Sequence, residues 1–188
     1  MSLVELIAQA DERGLAASGL ACLDRCVPLL GGDDEVLRPL WGTLADGGDW
    51  AEQLEKARGA LGATGPGDAA EGEAEDEAAL LARRMLAAAP AGRSAAEVRL
   101  WADGCSVASL HIHRLLDPAE DAASVDCCRE GRTEGVSPLV AAELRRQITV
   151  LELLAGHGPA GLRQALAVST EGRRVLRAVV SRRARGRR

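Results

Sequence analysis

The amino-acid sequence predicts an all-α fold, a compact bundle of about eight or nine helices, on three observations. Alanine and leucine dominate, Phe and Tyr are absent, and β-branched residues are sparse, a composition of strong helix formers. Apolar residues recur at spacings of three and four through most of the chain. Start signals of the form Ser/Asp-x-x-Glu, and Gly or Pro stops, punctuate those runs at short intervals.

The elements follow in order. Ser2-x-x-Glu5 is a capping box, and Leu3, Leu6, Ile7 and Ala10 face one way, so a first helix is expected to end at Gly14. A second carries Ala16, Leu20, Leu23 and Val27 and closes at Pro28. Gly31-Gly32 is a turn. Leu37, Leu40, Trp41 and Leu44 keep helical spacing, but proline fits only a first helical turn. Pro39 therefore predicts a short turn at 33–37 and a helix from about Arg38 to Gly47-Gly48. Asp49-x-x-Glu52 caps a fourth helix with Trp50, Leu54, Ala57 and Leu61 on one side. Loops this short make the helices of the N-terminal third antiparallel neighbours.

Residues 62–76 are rich in Gly, Ala and acids and read as a mobile acidic loop. Leu80, Leu81, Arg84 and Leu86 resume helical spacing up to Pro90. Ser94 and Glu97 then cap the clearest stripe, Val98, Trp101, Cys105, Ala108, Ile112 and Leu115, which stops at Asp117-Pro118. This is the expected central packing helix. Arg99, Asp103, Ser106, His113 and Asp117 would form its polar face, and Gly104 marks a close crossing or a break. Asp117 to Glu120 is expected to cap a short helix reaching about Cys128, before a polar loop at 130–136. Ser137-Pro138 starts a helix with Val140, Leu144, Ile148, Leu151 and Ala155, ending at Gly156. Pro159 starts another with Leu162, Ala165, Leu166 and Val168. Ser169 to Glu171 is expected to cap a last one, with Val175, Leu176, Val179 and Val180 inside. The organisation expected is one domain over 1–182, comprising a helical layer at 2–61, the loop at 62–76 and helices over 77–182, with a basic tail at 183–188.

Net charge is −5, unevenly spread: residues 1–60 and 61–80 each carry −6, and residues 163–188 carry +8. One Lys against 22 Arg, with no Asn, is the usage expected of a GC-rich genome. Residues 1–10 hold no basic n-region and Glu5 interrupts their apolar run, so neither a signal peptide nor a membrane span is expected. Five cysteines without an export signal read as reduced thiols, and the expected localisation is cytoplasmic.

Chemistry-bearing groups are few. Cys105, His111, His113 and Cys127-Cys128 supply zinc-type ligands, but Cys105 and His113 fall on different faces of a helix, and His111 and His113 sit about 200° apart. Cys22 and Cys26, one turn apart with Gly19 beside them, read as small residues at a close helix contact. Gly156-x-Gly158-x-x-Gly161 matches the wording of a dinucleotide fingerprint without its strand or its later acid, and reads as a helix–turn–helix link. P-loop, nucleophile-elbow and H-E-x-x-H motifs are absent from the sequence. No catalytic residue, metal ligand or cofactor is therefore assigned.

The expected function is that of a non-enzymatic cytosolic helical protein acting through a protein partner, as a regulator or adaptor. Trp41 and Trp50 are its candidate partner-surface aromatics, and self-association is a further form of the same reading. The alternative is a nucleic-acid-associated regulator. It would use Arg173, Arg174, Arg177, Arg182, Arg183, Arg185, Arg187 and Arg188, which also suit an acidic partner. A weaker alternative is a metal-binding or redox protein around Cys105, His111 and His113.

Overall fold

The computed structural model describes residues 1–62, 73–119 and 122–186, with backbone alone at 73–76. The described residues form an all-α bundle without a strand. The helices are α1 (Leu3–Gln9), α2 (Glu12–Cys26), α3 (Arg38–Asp46), α4 (Trp50–Gly62), α5 (Glu73–Ala87), α6 (Ala95–Leu116), α7 (Val125–Arg129) and α8 (Pro138–Gly186). A single 3-10 turn, Val27–Leu29, follows α2.

Local signals open most helices as expected. Ser2 and Glu5 complete a capping box on α1, and the Asp49 side chain accepts from the Glu52 N–H at 2.9 Å. Pro39 sits in the first turn of α3, and Gly47 ends that helix with φ 78°. Ser94 and Glu97 open α6, which runs unbroken to Leu116.

The centre of the bundle is α2, whereas the sequence pointed to α6. Every residue from Gly14 to Cys26 is buried. Its Leu, Ala, Cys and Gly residues leave no polar stripe for solvent, the pattern of a helix wrapped on all sides. Both α6 and α8 pack along it. A Cβ on Gly19 would lie 2.8 Å from the Trp101 ring, so this glycine lets α6 approach closely.

The long α8 is two limbs. Gly158 breaks it with φ 51° and ψ −129°, a conformation suited to glycine. A Cβ on Gly161 would stand 2.3 Å from the Leu153 carbonyl oxygen, so the fold back is tight. Arg146 and Gly172 consequently meet, one from each limb. The glycine-rich fingerprint is this hairpin turn.

Other expectations change. Gly14 lies inside α2 because Asp11 caps it there, accepting from the Gly14 N–H at 2.7 Å. Residues 73–76, expected in the loop, begin α5, and 63–72 lie outside the described residues. The short helix α7 starts only at Val125, after Ser124. Asp117 opens no helix: one carboxylate oxygen accepts locally from the Ala119 N–H at 2.9 Å, and the other accepts from the Leu139 N–H at 2.7 Å, in the first turn of α8. No new helix begins at Ser169, whose hydroxyl donates back to the Ala165 carbonyl at 2.9 Å within a continuous helix. That helix extends through Arg183 and Arg185, which the sequence placed in a tail. Gly104 neither breaks α6 nor lies at a crossing with another helix of the same chain, since nothing comes within 4 Å of its Cβ position.

Candidate functional site

Two features stand out from ordinary packing: a polar network sealed between α2, α6 and α8, and an apolar groove left open between α5 and α6.

The network grows from Asp24 and Arg25, adjacent residues of the buried α2. Arg25 donates from Nε and Nη2 to the two oxygens of Glu143, at 2.8 and 2.7 Å, with neither side chain exposed. Ser109 Oγ and Gln147 Nε2 also donate to Glu143 Oε1, at 2.8 and 2.9 Å. Burial raises the Glu143 carboxyl, but the Arg25 charge, with the hydrogen bonds from Arg25 and Gln147, outweighs it and holds the group well below the usual carboxylate range. His113, which the sequence placed on an exposed polar face, is fully buried here. Its Nδ1 lies 2.7 Å from the Ser109 carbonyl, an acceptor, so Nδ1 carries the proton. Its bare Nε2 faces Glu143 Oε2 at 3.6 Å. Burial pushes the imidazole pKa down. Beside this network, Asp24 accepts from Trp41 Nε1 at 2.8 Å and pairs with Arg173.

This network is closed to solvent, although Arg25 Nη1 and His113 Nε2 have no hydrogen-bond partner in it. Burial pushes the Cys22 thiol up to about 12 and raises Cys26 and Cys105 as well, the reverse of an activated nucleophile. His111 is exposed while Cys105 and His113 are buried. Among the described residues no three His, Cys, Asp or Glu side chains gather as a metal site.

The groove is different in kind. Trp101 Nε1 donates to the Met85 carbonyl at 2.9 Å, setting α6 against α5. Leu81, Met85, Ala88 and Pro90 form one wall; Leu100, Trp101, Gly104, Cys105 and Ala108 form the other, around about 390 Å³. Arg84 and Glu97 stand at its edge. Leu100 is 78 % exposed and Leu80 43 %. The missing side chain of Gly104 deepens the hollow.

The sequence-predicted site residues fall as follows. Trp41 and Trp50 are buried, so neither offers a partner surface. Trp50 donates to the Pro90 carbonyl at 2.8 Å and meets Trp101 edge to face at 6.0 Å, so it supports the groove from beneath. Arg173 is buried on Asp24, Arg177 pairs with Asp34, and Arg183 donates to the Leu115 carbonyl at 3.2 Å. Arg174, Arg182 and Arg185 are exposed, and Arg187 and Arg188 lie outside the described residues. Leu100 is the residue that sequence reasoning missed. It stands off the apolar stripe of α6, four residues from Gly104, but spacing alone does not say that it stays exposed beside a groove.

No family model, curated protein or solved structure matches the chain.

Proposed function

We propose that this is a non-enzymatic helical protein that acts by docking another protein on its α5/α6 face, as a regulator or adaptor. The observation that carries the reading is Leu100, 78 % exposed on the edge of an apolar groove of about 390 Å³. A large exposed leucine beside a concave apolar surface with a few charged groups on its rim is the pattern of an interaction site. The buried network supports the non-enzymatic part. Its carboxylates are paired with arginines and its thiols are held protonated.

Photo-crosslinking tests the reading. A photoreactive amino acid in place of Leu100 is expected to give adducts of defined mass, and the same group in place of Arg174 is not. Absence of adducts at both positions, or equal adducts at both, contradicts it.

A second reading keeps nucleic acid as the partner, favoured by Arg174, Arg182 and Arg185 exposed on the second limb of α8. It predicts salt-sensitive gel shifts with random DNA or RNA, lost when these three become Gln. No shift at low salt removes it.

A further inference from the structure

We infer that the partner seated on the α5/α6 face is a second copy of the same chain, related by a two-fold axis crossing α6 near Gly104. The inference rests on the docking reading above and names its occupant.

The face is complementary to itself. A two-fold interface places one patch against its own copy, so a knob and a hollow must both lie on that patch. On α6 the knob is Leu100 and the hollow lies over Gly104 and Ala108. An antiparallel partner helix crossing at Gly104 brings residue 100 opposite residue 108, and each leucine enters the other copy's hollow. Glycine at the crossing point permits close backbone approach, and the space above Gly104 is open, with nothing within 4 Å of its Cβ position.

Charge on α5 obeys the same symmetry. The hydrogen bond from Trp101 to Met85 sets α5 beside α6; counted from that contact in an antiparallel pair, Ala82 lies opposite Gly104, and Leu80 and Leu81 lie within about half a turn of that level. One axis therefore serves both helices. Glu77 lies on one side of that level and Arg84 on the other; both are exposed. Among the described residues neither has an ion-pair partner in this chain. The two-fold operation lays Glu77 against the partner's Arg84 and the reverse, with Leu80 between them. Like charges would meet if the copies packed in parallel, so the pattern also selects the orientation.

The size suffices. The 22 residues of α6 span about 33 Å, and two adjacent helices present a strip roughly 20 Å wide. That is a footprint of about 600 Å², approaching the roughly 800 Å² per partner of a standard interface.

Sedimentation velocity on the full chain, from micromolar to hundreds of micromolar, reads the result. The expected species shifts from 19.6 kDa to twice that mass as concentration rises. Leu100→Glu is expected to weaken association at least about tenfold without changing the circular dichroism spectrum or the melting temperature. Glu77→Arg and Arg84→Glu should each weaken it, and the double reversal should restore it. That restoration keeps the test valid even if Leu100→Glu fails to fold. A wild-type chain that stays monomeric throughout overturns the inference; the docking reading then survives only if the Leu100 crosslinker captures a different protein. A dimer indifferent to Leu100→Glu and to both charge changes also overturns it, by placing the interface elsewhere.

Discussion

Arg25 of α2 and Glu143 of α8 lie 118 residues apart and meet in a two-pronged ion pair with no solvent access to either side chain. Next to Arg25, Asp24 holds Arg173. Two consecutive residues of the central helix thus hold the two limbs of α8, one on each side of the Gly158 turn. The charges are opposite within each pair and reversed between them. A one-residue shift of α2 against α8 would set Asp24 toward Glu143 in one direction and Arg25 toward Arg173 in the other, so the arrangement fixes register. Gly172 makes room for it, because a Cβ there would stand 2.4 Å from Arg25 Cδ.

Removing one partner is expected to cost far more than removing both. Arg25→Met leaves Glu143 charged and buried, which should cost about 3–5 kcal/mol. Arg25→Met with Glu143→Leu should recover most of that loss, since desolvated charges give little net stability over apolar residues of similar size. Urea unfolding of the four chains in a double-mutant cycle measures the coupling. Additive losses would contradict the pairing.

Stability should fall with acid in the window set by His113. Burial, opposed by Glu143 and aided by Arg25 and Arg146, lowers its folded pKa below the ordinary 6.5. The unfolded chain therefore takes up a proton that the folded chain refuses. The stability is present above about 6.5 and is lost as pH drops from there toward the lower folded value. Glu143 acts further down. Its folded pKa lies below the ordinary 4.5, so its contribution is lost only as pH falls below that. Unfolding midpoints at pH 7.5 and 5.5 should differ in the wild type, and differ less in His113→Gln. Equal pH dependence in the two chains would show that His113 does not titrate in this window.

Two helix glycines should respond to alanine in opposite directions. Gly19→Ala drives a Cβ to 2.8 Å from the Trp101 ring and should destabilise by about 1–3 kcal/mol through overpacking. Gly104→Ala meets nothing within 4 Å and should stabilise by about 1 kcal/mol through helix propensity. Thermal melts of both variants decide it. With the melts run at dilution, where the chain is monomeric, a loss at Gly104 would mean that the groove is already filled within the monomer.

Signals confined to three or four residues were legible in the sequence. Ser2 with Glu5, Asp49 with Glu52, Ser94 with Glu97 and the placement of Pro39 each located a helix start, because each cap is made by its own turn. Positions decided by a distant partner were not legible. His113 lies on a stripe that looks solvent-facing until α8 brings Glu143 to it. Asp117 accepts locally from Ala119, as its turn suggests, but its second oxygen reaches Leu139, which the sequence does not announce. The close packing of α2 was partly visible in Cys22, Cys26 and Gly19, but nothing in its own spacing marks Asp24 and Arg25 as buried, because their partners come from α8. The groove was hidden for the same reason. Which leucine stays exposed depends on how α5 lies against α6, and the spacing along one helix does not contain that.

Leu100→Glu should be silent for folding. At an exposed helix position a change within about 0.5 kcal/mol is expected, while binding at the α5/α6 face should be lost. Unchanged binding would remove Leu100 from the interface.

The most direct test of the central claim is hydrogen exchange on the associated protein compared with its dilute form. Function at the α5/α6 face, with a charged interior that only positions the helices, has a distinct exchange signature. Protection gained on association should fall within residues 77–108 and leave the second limb of α8 unchanged. Protection gained along residues 174–186, with none over 77–108, would contradict the account and move the site to the arginine-rich end.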